Sequence, residues 1–157
     1  MKKIIIIVLI FLAGQNAFAQ SGWVQQNPSV VEWGLSAVYF SNENTGWAAG
    51  GGGVIKSTTN AGENWTTQYT GGGELLTSMY FINPLKGFVV SAQGKMFKTT
   101  NGGVNWANTN LPDTSYKYQI LFTDNLTGYM CGYGTIMKTT NGGDNWNYLL
   151  LSSTRYV

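Results

Sequence analysis

The chain has 157 residues, no histidine, a single arginine (Arg155) and a formal net charge of +2. Without imidazole it cannot form a Ser-His-Asp or Cys-His catalytic group, or a zinc site that depends on histidine. The nearly neutral composition also lacks the clustered positive charge that phosphate backbones require, so we expect no nucleic-acid partner.

The N-terminus has the pattern of an export signal. Lys2 and Lys3 precede an apolar stretch over 4–13, and Ala17-Phe18-Ala19 places small residues where a signal peptidase cleaves. We predict a signal peptide over 1–19 and a secreted or periplasmic mature chain whose charge is near zero. The apolar stretch is shorter than the roughly 20 residues that span a bilayer. The residue after the predicted cleavage site is Gln20 and not the cysteine of a lipoprotein, so we expect no membrane anchor.

The remainder of the chain is repetitive. Trp65, Trp106 and Trp146 lie 41 and 40 residues apart. Two further sets recur every 41 residues, which are Phe40, Phe81 and Phe122, and Gly46, Gly87 and Gly128. Three independent sets with one spacing indicate three copies of a structural unit.

Each copy contains four short strand-like runs. In the second copy we predict strands over 77–82, 87–92, 95–99 and 105–109, each bounded by glycine or asparagine turns. The fourth strands of the first and third copies are predicted over 64–69 and 145–149. Four strands in about 40 residues is the period of a propeller blade. We therefore predict an all-β fold with almost no helix, in blades at approximately 35–70, 76–110 and 117–151.

A further segment, 23–28, resembles a fourth strand that has no blade of its own. Propellers generally need at least four blades, so three blades and one extra N-terminal strand make an incomplete ring. Uncovered sheet faces and strand edges favour association. We expect a homo-oligomer, such as a six-bladed dimer of half-rings. Alternatively, the chain is a fragment of a larger propeller.

An eight-residue element, called the box below, joins the third and fourth strands at 58–65, 99–106 and 139–146. We expect the asparagine to bind backbone two residues on, the threonine to cap the turn, the fifth-position glycine to take a positive φ, and the tryptophan to cover the hairpin. The structural residues so predicted are Thr58, Asn60, Gly62, Trp65, Thr99, Asn101, Gly103, Trp106, Thr139, Asn141, Gly143 and Trp146.

The boxes resemble the Asp-box of bacterial neuraminidase repeats, whose pattern is Ser/Thr-x-Asp-x-Gly-x-Thr-Trp. With the Tyr-Phe start of the next copy, they are most similar to the photosystem II stability and assembly factor type of repeat. The resemblance implies a propeller in which the boxes are structural and lie opposite the ligand-binding face. Asn60, Asn101 and Asn141 stand where the family usually has aspartate, which weighs against a metal there, and we expect no cofactor.

Sialidase activity would need several arginines, and the chain has one. A glycosidase needs only two carboxylates, for which Glu32, Glu74 and Asp113 are candidates. These acids lie in the connections between blades, where propellers usually bind ligands. The predicted binding face comprises Glu32, Trp33, Glu74, Gln93, Asp113, Tyr116 and Tyr133. We predict a secreted, non-catalytic module that binds an unknown protein or glycan. The alternative is a carbohydrate-binding or glycan-hydrolysing protein.

Three smaller features complete the predictions. Cys131 lies in an apolar run and is expected to be a buried thiol. The run over 50–53 is four glycines and predicts a permissive turn, not a phosphate loop. Lys56 aligns with Phe97 and Met137, which indicates a looser first blade or an exposed edge there.

Overall fold

The computed structural model describes residues 34–70 and 72–151. The predicted signal peptide, the extra strand over 23–28, Glu32 and Trp33 lie outside the described residues.

The described residues form three separate four-stranded antiparallel sheets, with the strands of each sheet in chain order. The strands are β1 Leu35–Phe40, β2 Gly46–Gly50, β3 Val54–Thr58, β4 Thr66–Thr70, β5 Leu76–Phe81, β6 Gly87–Ser91, β7 Met96–Thr99, β8 Ala107–Thr109, β9 Lys117–Phe122, β10 Gly128–Gly132, β11 Thr135–Thr139 and β12 Asn147–Leu151. Within the described part, helix is confined to one 3₁₀ turn over Gly51–Gly53. The all-β prediction is confirmed, and the three sheets do not close into a ring. They are called blades 1, 2 and 3 below.

The fourth strand of each blade begins two residues later than predicted. The predicted starts were residues 64, 105 and 145, and the observed starts are Thr66, Ala107 and Asn147. The backbone N–H groups of the predicted first residues each donate to the asparagine side chain of the same box, at 3.0 Å. Those residues belong to the turn, because their N–H groups are occupied there.

The core lies between the blades in two clusters. Trp47 and Ile55 of blade 1 pack against Phe81 and Phe97 of blade 2 in the first cluster. The second cluster joins blades 2 and 3 and contains Phe88, Val90, Met96, Ile120, Phe122, Met130, Met137 and Trp146. Alternate residues of a strand point to opposite faces of its sheet, so β6 contributes to both clusters. Its five residues are all buried, which explains its uninterrupted apolar sequence.

Aromatic rings interlock the blades in a repeated arrangement. The ring of Trp47 stacks on that of Phe81 with centroids 3.7 Å apart, and Phe88 stacks on Phe122 at 5.1 Å. Each box tryptophan also packs edge-on against the phenylalanine of its own blade. The ring centroids of Trp106 and Phe81, for example, are 5.9 Å apart. The box tryptophans therefore have a packing role, as the sequence indicated.

The expectation that Cys131 is a buried thiol is wrong. Cys131 is only partly buried, whereas Ala49 and Val90 at the equivalent positions are fully buried. It lies on the outer face of blade 3, where no further blade packs among the described residues. Lys56 lies on the outer face of blade 1 and is buried, because its stem lies in a groove beside Ala48 and Trp65.

Candidate binding face

The boxes lie at one end of the blades, together with the turns between first and second strands. In each blade a box N–H donates to a carbonyl of that turn, and the donors are Ala61, Gly102 and Gly142 at 2.8 to 2.9 Å. The other end carries the turns between second and third strands and the connections between blades. We call this second end the connection face.

Threonine and asparagine close each box from inside. In the second box, the Thr99 hydroxyl accepts from the N–H of Gly103 at 2.9 Å and donates to the Asn101 side chain at 3.0 Å. Asn101 also accepts from the N–H of Asn105, four residues on, so the predicted reach of two residues is wrong. The same bonds recur in the other two boxes. The asparagine side-chain oxygens and the threonine hydroxyls of the boxes thus bond within their own loops, as in a structural element.

Two consecutive residues with positive φ explain the longer reach. Gly102 and Gly103 have φ of 68° and 90°, and this curl brings the distant N–H group back to the asparagine. The predicted positive φ of the fifth-position glycine is observed in all three boxes. Trp47 of blade 1 donates its indole N–H to the carbonyl of Gly102 at 3.0 Å, so the box also fastens the neighbouring blade.

The connection face contains all of the predicted binding residues that the structure describes. Backbone hydrogen bonds join its turns to its connections, from Gly53 to the carbonyl of Glu74 at 2.7 Å and from Tyr133 to that of Tyr116 at 2.8 Å. The Gln93 side chain accepts from the N–H of Leu75 at 3.1 Å, so its oxygen stabilises a connection. A Cβ on Gly94 would overlap the backbone of Thr114, which shows how closely the turn and the next connection pack.

Glu74 is a buried carboxylate with one ion-pair partner. Lys95 donates to its Oε1 at 2.7 Å, and the Glu74 side chain is only 7% exposed. The hydrogen bond from Lys95 lowers the pKa of Glu74, despite burial, which raises it. The other oxygen, Oε2, is buried and has no hydrogen-bond partner among the described residues. Sequence reasoning missed Lys95, because an isolated lysine in a turn has no distinguishing pattern.

Asp113 has a similar arrangement in the next connection. Its Oδ1 accepts from the ammonium group of Lys117 and from the N–H and hydroxyl of Ser115. Burial raises the pKa of Asp113, but the hydrogen bonds from Lys117, Ser115 and Tyr148 outweigh it and lower the value to about 2. The lysine itself is fully buried, and it also donates to the carbonyl of Ser115 at 2.9 Å.

Lys117 was also missed from the sequence, although a signal was present. It occupies the position of Leu35 and Leu76, the first residues of the inner strands of blades 1 and 2. A lysine at a leucine position, four residues after an aspartate, indicates a buried ion pair.

Exposed tyrosines complete the connection face. Tyr116 and Tyr118 have ring centroids 4.8 Å apart, and Tyr133 is 67% exposed. The backbone bond between Tyr133 and Tyr116 keeps these residues on the same side of blade 3. They offer flat apolar surfaces with hydroxyl groups, which suit either a peptide or a sugar ring.

The described residues contain neither a metal-binding cluster nor a membrane-spanning helix. No group of three or more histidine, cysteine, aspartate or glutamate side chains is arranged to hold a metal ion there. The same residues contain no helix with the length and apolar character needed to cross a bilayer.

Three antiparallel four-stranded blades with interlocking box tryptophans define the class, which is the β-propeller built from BNR-type repeats. The model of one family, photosynthesis system II assembly factor YCF48, matches residues 72–155. This is more than half of the chain, and the chain belongs to that family. The resemblance noted in the sequence is thereby confirmed. A search of curated proteins gave no match.

Solved structures show the same blades. YCF48 bound to a D1 peptide has a TM-score of 0.67 and 23% identity, over 74% of this chain and 41% of that one. YCF48 from Cyanidioschyzon merolae has a TM-score of 0.68 and 25% identity, over 80% and 39%. A GH74 enzyme from Niastella koreensis has a TM-score of 0.62 and 16% identity, over 74% of this chain and 21% of that one. This likeness shows the fold alone. This chain spans about two fifths of the length of the two YCF48 structures.

Proposed function

We propose that this chain is an exported, non-catalytic module that binds another protein through the connection face. The observation that carries the proposal is the exposed aromatic surface of this face, where Tyr133 is 67% exposed and the ring centroids of Tyr116 and Tyr118 lie 4.8 Å apart. Tyrosine is enriched where proteins bind one another, because its ring buries apolar area and its hydroxyl keeps a hydrogen bond.

The comparisons support a binding role of this general kind. The family is one of assembly factors, and one of its solved members has a bound peptide. The peptide bound by that protein does not identify the partner of this chain, because propellers with similar blades bind unrelated ligands. The box end is a weaker candidate, since the box side chains of all three blades already bond within their own loops.

Binding to a peptide array tests the proposal. Tyr133→Ala removes an exposed ring from this face, and we expect it to weaken binding at least tenfold, or by about 1.4 kcal/mol. Leu85→Ala is the control, because Leu85 is similarly exposed, at 60%, in a turn at the box end. Equal loss in both variants, or no loss in Tyr133→Ala, would contradict binding at the connection face.

Carbohydrate binding is the second candidate, and the exposed tyrosines favour it. Sugar rings stack on flat aromatic faces, and Tyr116, Tyr118 and Tyr133 lie together at this end. A glycan array probed with wild type and Tyr133→Ala separates the two candidates. Glycan binding that is lost in Tyr133→Ala would replace the protein partner. Hydrolysis of chromogenic glycosides that Glu74→Gln abolishes would overturn the non-catalytic role.

The exported location is tested separately. We expect the protein recovered outside the inner membrane to begin at Gln20, which N-terminal sequencing would detect. Recovery of the uncleaved chain with the membrane fraction would count against export as a soluble protein.

A further inference from the structure

Each interface between blades joins the same two kinds of face. We call the face that a blade turns toward the following blade its leading face, and the opposite one its receiving face. Trp47 of blade 1 and Phe88 of blade 2 lie on leading faces, and they stack on Phe81 and Phe122 of the receiving faces. One geometry therefore serves both interfaces in the chain.

Among the described residues, blade 1 has an uncovered receiving face. Phe40 is 42% exposed, whereas Phe81 and Phe122 at the equivalent positions are 1% and 6% exposed. Val38 is 66% exposed, against 6% for Met79 and 2% for Ile120. A groove of about 370 Å³ runs beside Val38, Ala48 and Trp65 on this face. In the other two blades, side chains of the preceding blade fill this position.

Blade 3 has the complementary face uncovered. Tyr129 occupies the position of Trp47 and Phe88, and Ile136 occupies that of Ile55 and Met96. Leu121 of the inner strand is 39% exposed on the same side. Within residues 34–70 and 72–151, therefore, one aromatic and aliphatic leading face has no receiving face packed on it, and one receiving face has no leading face packed on it.

We propose that two copies of the chain close a six-bladed ring, with blade 3 of each copy packed on blade 1 of the other. Tyr129 then stacks on Phe40 of the second copy, as Trp47 and Phe88 do within the chain. A head-to-tail contact of this kind closes after two copies if each spans half a turn. Six blades lie within the usual range of four to eight for propellers. The proposal is independent of what the connection face binds.

Charge at the rim supports this pairing of faces. Between blades 2 and 3, Lys98 donates to Asp144 of the box at 2.5 Å. In the sequence, Lys138 of blade 3 aligns with Lys98, and Glu63 of the first box aligns with Asp144. The two uncovered faces therefore carry opposite charges where an ion pair is already present inside the chain. The interface between blades 1 and 2 has Ser57 and Val104 at these positions, so the charges are not a general feature of the repeat.

Two departures make the seam between copies weaker than the interfaces within a chain. Ser36 and Thr77 donate across those interfaces to the carbonyls of Leu76 and Lys117, but blade 3 has Tyr118 at that position. The receiving face of blade 1 also carries Lys56 where the other blades have Phe97 and Met137. We therefore expect the copies to separate on dilution before the blades unfold.

Charge reversal tests the seam in the purified protein. Sedimentation analysis over a range of concentrations should give a monomer–dimer equilibrium. Lys138→Glu and Glu63→Lys should each raise the dissociation constant roughly tenfold or more, because each change places like charges at both seams. The double variant should restore association, because the pair is then rebuilt in reverse. Glu43→Lys, which makes the same charge change away from the seam, should leave the equilibrium unchanged.

Several outcomes would overturn the ring. A monomer at every concentration would show that the two faces do not pair between copies. A dimer indifferent to both reversals, or a particle of another size, would place the contact elsewhere. Thermal melts of each variant ensure that a loss of association is not a loss of folding, since Glu63 is exposed.

Discussion

Removing the carboxylate of Asp113 should destabilise the connection between blades 2 and 3 in a pH-dependent way. The Asp113 pKa falls from 3.8 to about 2 on folding. At about 1.4 kcal/mol for each pH unit, this corresponds to roughly 2.5 kcal/mol. Residual solvent contact screens the pair, so we take about 1 to 2 kcal/mol as the contribution of ionised Asp113.

The partner lysine limits the size of this effect. In Asp113→Asn, the amide oxygen can still accept from Lys117, whose ammonium group also keeps its bonds to the carbonyl and hydroxyl of Ser115. The loss is therefore smaller than the roughly 3 to 5 kcal/mol that removing one member of a buried pair generally costs. We expect a loss of about 1 to 2 kcal/mol in free energy of unfolding at pH 7.

The sign of the pH dependence follows from the lowered pKa. Stabilisation by Asp113 is fully present above its unfolded pKa near 3.8 and is lost as the pH falls through about 2. Urea unfolding followed by tryptophan fluorescence should therefore show wild type and Asp113→Asn converging between pH 4 and pH 2. The other carboxylates are common to both proteins, so their contributions cancel in the difference.

A compensating variant is the control. Asp113→Asn with Lys117→Leu places the residue of blades 1 and 2 at the start of β9, and it should recover most of the lost stability. Equal stability of wild type and Asp113→Asn at pH 7 would refute the reasoning. So would a difference between them that persists unchanged below pH 2.

The packing predictions concern the interfaces between blades. Trp146→Ala should cost about 3 to 5 kcal/mol, because Trp146 is 5% exposed between blades 2 and 3, and calorimetry should show a smaller loss for Trp65→Ala on the uncovered face. Gly143→Ala should lower the melting temperature more than Gly73→Ala does. Both glycines have positive φ, 83° and 87°, but a Cβ only at Gly143 would press against the Phe88 ring, at 2.5 Å. Equal losses within either pair would show that the neighbouring blade does not determine the cost.

Most of this fold can be predicted from the sequence, because the same pattern of strands and turns occurs in three copies. The spacing of Trp65, Trp106 and Trp146 reveals the unit, and the turns inside one unit give its strands. The strand starts at residues 64, 105 and 145 were wrong because an asparagine side chain competes for the same N–H groups. That competition depends on two consecutive residues with positive φ, which are Ala61-Gly62 in the first box and two glycines in the others, and a strand pattern does not contain this information.

The candidate site was predictable in position but not in chemistry. Meander topology alone brings Glu74, Gln93, Asp113 and Tyr133 to one end, since second-to-third turns and connections share it. The pairing of Asp113 could have been found from Lys117, a lysine at a leucine position, but the partner of Glu74 depends on a side-chain direction that no spacing encodes. The two expected loop charges are instead members of ion pairs, with Lys95 and Lys117.

The equivalence of leading and receiving faces also bears on how such proteins change over generations. A blade that fits its neighbour fits any copy of that neighbour, so duplication or deletion of one 41-residue unit in the gene preserves every contact surface. Ring size can then vary by recombination between repeats, without new side chains evolving at the junction. Positions at which the copies differ, such as Lys56 against Phe97 and Met137, then mark the junctions that have specialised.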